Sequence, residues 1–440
     1  MSKLTIKLLL SLSLAVSVLL TVPSFADSQA RVVRLSDVQG DVQVDRDLGQ
    51  GYEKAFLNLP ITQGTKLQSS KDGRAEVEFE DGSTLRLTPG TVIDFPQLSL
   101  RDSGAKISTV HLQEGTAYLK FAGTKDDEFT FTFGREKLSL NHIVRLRLGM
   151  ADTKATLSVL SGDVQVEGEA GKSVVGKNHS VTFDLAETDR YTVANGVEPG
   201  LYDAWDKQQD QYYKQYAGNS SSSYSPYSYG TADLNYYGSF MNAPGYGTIW
   251  QPYFAGAGWD PFMNGAWAFS PGYGYGWVSG YPWGWTPYHS GSWLFLPPYG
   301  WVWQPGGSWA AWNAPRVIRP PVHFMAPQAP TGSGRGTVLV NRGPVPILMG
   351  RSSNQLEITN NSGGLGIPRG GVRNLGQLSR TVQQKGFVEA RVHTAPVGVN
   401  WWRSGYSAPA GARRGGSAPS ISSGRSISSH SSAGHPTTHR

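Results

Sequence analysis

Ala75, Val77 and Phe79 alternate with Glu76, Glu78 and Glu80, and this two-residue period constrains the chain more than any other feature. A period of two places the apolar side chains on one face of an extended strand and the carboxylates on the other. Asp81-Gly82 follows at once, and Leu85 and Leu87 resume the alternation beyond it. Asp-Gly between alternating runs signals a hairpin, because both turn positions favour positive φ. The period returns in Phe129, Phe131 and Phe133, and in Val144, Leu146 and Leu148 against Arg145 and Arg147. Residues 31–192 are therefore expected to form a mainly β domain of sandwich type. Within it Val38-Gln39-Gly40-Asp41-Val42-Gln43-Val44 is echoed by Leu160-Ser161-Gly162-Asp163-Val164-Gln165-Val166, which predicts two similar strands that open and close the domain.

Composition agrees with strands and turns. Charged residues make up 16% of the chain, against 54 Gly and 27 Pro. Cysteine is absent, which excludes a disulfide framework, a Cys zinc site, a thiol nucleophile and an acylated lipoprotein Cys. At the N-terminus Lys3 and Lys7 precede an apolar run, Leu8 to Val22, and then Pro23-Ser24-Phe25-Ala26. This pattern predicts a signal peptide over residues 1–26, cleaved after Ala26, since the run is short for a span of about 20 apolar residues. The mature protein is then expected to be periplasmic or extracellular, at the cell surface, with no transmembrane segment.

The stretch Leu59 to Leu67, then Asp72-Gly73-Arg74-Ala75-Glu76-Val77, then Asp81-Gly82-Ser83-Thr84-Leu85-Arg86-Leu87, resembles the FecR protein domain. Leu112 to Leu119 and Val159-Leu160-Ser161-Gly162-Asp163-Val164 resemble its later strands. The resemblance implies a FecR-like β domain. The best-known members are inner-membrane anti-sigma regulators that respond to iron-siderophore uptake. They carry a cytoplasmic helical segment and a membrane helix ahead of this domain, where the present chain has a signal-like segment.

Between residues 198 and 218 the period lengthens. Leu201, Trp205, Tyr212 and Tyr216 fit one face of a short linker helix, packed on a neighbouring domain or presented to a partner. Residues 230–312 then form an aromatic module holding eleven of the fourteen tryptophans. Gly258-Trp259-Asp260-Pro261 through Trp277 repeats, at an offset of 26 residues, as Gly284-Trp285-Thr286-Pro287 through Trp303. Repetition at fixed spacing marks a repeated supersecondary unit. Trp250-Gln251-Pro252-Tyr253 begins the phrase once more. The module is expected to dock on the β domain, because its aromatics alone bury too little surface. It resembles an uncharacterised domain found after FecR-like domains in secreted bacterial proteins.

Two readings of the tryptophans stay open: a core for a small irregular fold, or exposed rows that stack on sugar faces. The candidate ligand-stacking residues are Trp259, Trp285, Tyr288 and Trp293. Residues 313–440 carry fourteen Arg and Lys385 against Glu357 and Glu389, in a Gly/Ser/Pro-rich setting that predicts a disordered basic tail. Such a tail is expected to meet anionic surfaces rather than nucleic acid.

Chemistry-bearing constellations are sparse. His430, His435 and His439 lie in a Ser-rich terminus, and Asp126-Asp127-Glu128 suits a turn better than a cation site. No phosphate-cradling loop or nucleophile elbow occurs. The expectation is a protein that is not an enzyme, with no catalytic residues, cofactor or metal. It would serve a structural or interaction role in a cell envelope, with an unknown envelope protein or cell-wall polymer as partner. Glycan or peptidoglycan binding is the alternative, and an envelope signalling role related to FecR regulators is the third reading.

Overall fold

The computed structural model describes residues 31–169, 171–187, 190–218, 229–255, 259–262, 265–272, 274–296, 299–306, 355–358, 369–370, 372–385 and 388–391. The chain divides into a unit spanning residues 1–406 and another spanning 407–440. All described residues belong to the first. The expected signal peptide, the three C-terminal histidines and most of the basic tail lie outside the described residues.

The alternating runs become strands. β1 (Val33–Gln39) leads through Gly40 into β2 (Val42–Asp45), followed by β3 (Glu53–Lys54), β4 (Pro60–Ile61) and β5 (Lys66–Ser69). The hairpin of β6 (Arg74–Glu78) and β7 (Thr84–Leu87) precedes β8 (Val92–Leu100) and the long β9 (Lys106–Phe121). Next come β10 (Glu128–Phe133), β11 (Glu136–Leu140), β12 (Val144–Ala151) and β13 (Lys154–Ser161). β14 (Asp163–Gly168), β15 (Gly171–Gly176), β16 (His179–Asp184) and β17 (Tyr191–Asn195) complete the set.

These strands pair in two layers. One runs β3-β2-β5-β8-β9-β10-β11-β14-β15, and the other β4-β1-β6-β7-β9-β12-β13-β16-β17. β9 belongs to both: Lys106–Glu114 pairs with β8 and β10, and Gly115–Phe121 with β7 and β12. Gly115 sits at the changeover with φ 85°, and a Cβ there would come 2.3 Å from the Gly90 carbonyl oxygen. Only glycine fits such a bend. Between the layers lie Val33, Val77, Leu85, Leu119 and Leu146 from one sheet, and Val44, Leu67, Ile93, Phe131 and Val164 from the other.

The sequence echo is a shared corner. β1 passes to β2 at Gly40 (φ 67°), and β13 passes to β14 at Gly162 (φ 78°), each time crossing from the second layer to the first. β14 does not close the domain as expected, because β15, β16 and β17 follow it. The Asp81-Gly82 hairpin forms, but as a wider loop in which Gly82 alone has positive φ. There the Phe79 amide donates to Ser83 O at 2.9 Å, and Asp81 Oδ1 accepts from the Ser83 amide at 2.7 Å.

Beyond the sandwich, α1 (Asp203–Tyr216) and α2 (Thr231–Tyr237) lead into the aromatic module. Its strands are β18 (Gly238–Ala243), β19 (Gly247–Pro252), β20 (Gly265–Ser270) and β21 (Gly274–Ser279). The short α3 (Thr286–His289) precedes β22 (Ser292–Leu296) and β23 (Gly300–Gln304). The repeat resolves into two hairpins, β20–β21 and β22–β23, with Trp267 opposite Trp277 in one and Trp293 opposite Trp303 in the other. Among the described residues the first hairpin pairs only with itself, while β23 also pairs with β19, so that β18, β19, β23 and β22 form one sheet. The tail expectation is corrected in part. β24 (Gln355–Ile358) pairs with β25 (Val388–Arg391), and α4 (Leu375–Lys385) docks on the module, with Ser379 Oγ donating to Tyr253 O.

Candidate functional site: a buried ionic layer

The acidic side of β6 faces away from the sandwich core, where alternation alone predicts contact with water. Strand register sets its neighbours. Arg34 of β1 lies opposite Glu78, Glu76 lies opposite Arg86 of β7, Arg86 opposite Tyr118 of β9, and Tyr118 opposite Arg147 of β12. Opposite charges thus meet across adjacent strands. This face is covered: Arg34 and Glu76 are 0% exposed, Arg86 1% and Glu78 2%.

Helix α1 provides half of the cover. Asp203, Asp206, Asp210 and Tyr213 recur at helical spacing and share one face. Asp203 Oδ1 accepts from Arg147 Nη1 and from the Tyr118 hydroxyl, both at 2.7 Å. Asp206 pairs with both Arg86 and Arg145, and Asp210 with the same two at 2.9 and 3.1 Å. Tyr213 Oη donates to Glu76 Oε1 at 2.6 Å. Trp205 is buried, with the Arg74 guanidinium 5.2 Å from its ring. The helix thus packs on a neighbouring domain. Leu201, assigned to its apolar face from sequence, precedes the helix and is 87% exposed.

The aromatic module supplies the other half. Arg34 Nη1 pairs with Glu78 at 3.0 Å and with Asp233 of α2 at 2.7 Å, while Nη2 donates to Pro282 O at 2.9 Å. Asn58 Nδ2 donates to the carbonyls of Ser279 and Tyr281 at 3.0 and 2.8 Å. The Gly230 amide donates to Glu78 Oε2 at 3.1 Å. From far along the chain Arg369 reaches in, with Nη1 on Glu76 at 2.7 Å and Nε on Asp233 at 3.2 Å.

Five carboxylates, Glu76, Glu78, Asp206, Asp210 and Asp233, meet four guanidiniums, Arg34, Arg86, Arg145 and Arg369, in this ion-paired network. Of the five carboxyls Glu78 is the one driven toward its protonated form. Burial pushes the Glu78 carboxyl up to about 7, with Arg34 opposing and Asp233 adding to the rise. Burial also acts to raise Glu76, but Arg86, Arg369 and the Tyr213 hydroxyl outweigh it and hold that carboxyl at about 2. Two carboxylates one turn of the pleat apart are therefore driven in opposite directions.

The four aromatic residues singled out from sequence sit elsewhere, inside the module. Trp259 and Trp285 are 2% and 1% exposed, while Tyr288 and Trp293 are half-buried against the same aromatic cluster. The exposure expected of Trp259 and Trp285 is corrected. Trp259 lies 5.8 Å from Trp293, and Tyr288 5.6 Å from Trp293, so these three converge as packing partners. Trp285 turns away, against Tyr229 and His289. Trp259 Nε1 donates to the Tyr281 hydroxyl at 3.0 Å, and Tyr281 stacks on Trp283 at 4.9 Å. The buried indole N–H of Trp259 is thereby satisfied inside the module. Asp127 caps its turn, accepting from the Lys106 and Thr124 amides at 3.0 Å. Among the described residues no group of His, Asp and Glu is placed to hold a metal ion.

The charged layer thus joins two bodies whose boundaries can be set by comparison. Residues 65–165 match the model of the FecR protein family, and residues 231–320 match a family of unknown function, DUF6600. The chain carries a FecR domain followed by a DUF6600 domain. Glu76, Glu78 and Arg86 lie in the FecR segment, Asp233 and Pro282 in the DUF6600 segment, and α1 between the two. Arg34 of β1 precedes the matched FecR segment but belongs to the same sheet. Two crystal structures of a candidate anti-sigma factor from Parabacteroides distasonis are similar at 16% identity, with TM-scores of 0.28 and 0.26. The aligned parts cover 33% and 34% of this chain and 64% of that protein, a likeness that supports no argument. No curated protein matches the chain.

Proposed function

We propose that this is an exported, non-enzymatic cell-envelope protein with a structural or protein-interaction role, in which the FecR and DUF6600 domains work as one welded body. The reading is supported above all by Arg34. One guanidinium bonds Glu78 and Asn58 on the FecR side and Asp233 and Pro282 on the DUF6600 side. Removing water from so many charges makes sense only for domains that stay together, because breaking a buried pair leaves an uncompensated charge. Tyr191 and Val193 on β17, which pairs only with β16 among the described residues, are 45% and 56% exposed and offer an apolar sheet edge to a protein partner. Among the described residues no helix is long and apolar enough to cross a membrane.

Cell fractionation with site-specific photocrosslinking tests this. A photoreactive amino acid at Tyr191 or Val193 is expected to give a discrete adduct with another protein in the envelope fraction. Recovery of the protein in the cytoplasm defeats the proposal. Salt-resistant pelleting with purified cell-wall sacculi, without any protein adduct, hands the role to wall-polymer binding instead.

A further inference from the structure

We propose that the pocket walled by Glu76, Asp233, Tyr212 and Tyr213 is a receptor for an arginine presented on an Arg-Gly turn, filled in cis by Arg369 and able to take the same phrase in trans. Its walls also bond to one another. Tyr212 Oη donates to Asp233 Oδ1 at 2.7 Å and Tyr213 Oη to Glu76 Oε1 at 2.6 Å, which aims both carboxylates at one point.

The guanidinium is read on every edge. Nε and Nη2 lie on the two oxygens of Asp233, each at 3.2 Å, in the forked geometry that a planar guanidinium matches and an ammonium does not. Nη1 donates to Glu76 at 2.7 Å, and Nη2 also to Ser36 O at 2.9 Å. The guanidinium carbon stands 4.9 Å from the Tyr212 ring and 5.4 Å from that of Tyr213, within cation–π range.

The incoming turn is otherwise held by its backbone. The Val372 amide donates to Tyr236 Oη at 3.0 Å, and that hydroxyl donates back to Val372 O at 3.1 Å. Position 370 has φ +69° and faces Tyr212, so glycine follows the arginine for a conformational reason. Arg369 differs from Arg34 in two ways that mark it as a ligand. It arrives 136 residues after Asp233 rather than from within the sheet. It also keeps 9% side-chain exposure where Arg34 keeps 0%. The same dipeptide recurs at Arg335-Gly336, Arg342-Gly343 and Arg414-Gly415. This inference goes beyond the envelope role proposed above and does not depend on it.

The test uses the full mature chain carrying R369A and a fluorescent peptide with the sequence of residues 366–373. Anisotropy is expected to show saturable binding to R369A, at least tenfold weaker binding to the wild-type chain, and at least tenfold weaker binding of the peptide with Lys in place of Arg369. A folded R369A chain, verified by near-ultraviolet circular dichroism, that ignores the peptide or takes both peptides alike overturns the proposal. If R369A does not fold, R369K is titrated under the same criteria. Failure of both variants to fold also overturns it, since a receptor must persist without its ligand.

Discussion

Tyr213 Oη donates a 2.6 Å hydrogen bond to Glu76 Oε1 across 137 positions of sequence, tying the linker helix to the centre of the β sheet. Hydrogen bonds to charged acceptors contribute about 1.5–3 kcal/mol. Tyr213→Phe is expected to lower stability by about that amount, read as a lower urea midpoint at unchanged slope. An unchanged midpoint would mean that the helix is held by its other contacts alone.

Glu78 and Glu76 give the protein a pH signature with two arms. Glu78 is raised in the fold from an ordinary 4.5 to about 7, so it favours the folded state fully below pH 4.5 and loses that contribution as pH rises through 7. Glu76 is lowered to about 2, so its contribution is full above pH 4.5 and lost as pH falls toward 2. Glu78→Gln is expected to abolish the decline in stability between pH 4.5 and 7 while leaving the acid arm in place. Thermal melts across that range decide it, and an unaltered profile in the variant rules Glu78 out as the source.

Arg34→Ala removes one partner from two buried carboxylates at once. Such losses cost about 3–5 kcal/mol. Calorimetry of the wild-type chain is expected to show one cooperative transition for the FecR and DUF6600 domains. The variant should show two, because the bond from the sheet to Pro282 goes with the charge. A single transition in Arg34→Ala would locate the weld in Asn58 and helix α1 instead.

Gly115→Ala places a Cβ at the bend of β9, where φ is +85° and the Gly90 oxygen stands 2.3 Å from the new atom. The left-handed conformation alone costs an alanine about 1–2 kcal/mol, and the clash adds to it. A loss of about 2 kcal/mol or more is expected. Gly104→Ala, at another positive-φ glycine with open space around it, should show only the conformational part.

The strands were legible because a period of two survives any tertiary context, and the 26-residue repeat was legible because each copy is one hairpin. What covers the carboxylate face was not. Alternation separates the faces of a strand but cannot say that the polar face is dry. The clue lay in complementary spacing: Arg86 on one side of β9 and Arg145 and Arg147 on the other point outward, while Asp203, Asp206 and Asp210 share a helical stripe. Reading that helix by its apolar residues alone promoted Leu201 and missed Tyr213. Trp259 and Trp285 were candidates for exposed stacking residues, yet a repeated unit keeps its packing partners in register equally well. Arg369 and α4 were lost in the average composition of a long basic segment, which hides a short docked stretch.

The separation of Arg369 from Asp233 also imposes an order in time. A chain made from its N-terminus presents Glu76 and Asp233 well before the guanidinium that completes their pocket, 136 residues after Asp233. At about 5–20 residues per second that interval is on the order of ten seconds. Throughout it Glu76 and Asp233 lack the one cation that bridges them. A copy cut short before Arg369 leaves Glu76 and Asp233 without that bridge unless an Arg-Gly phrase reaches them in trans, so completeness of the chain is written into the charge state of one pocket.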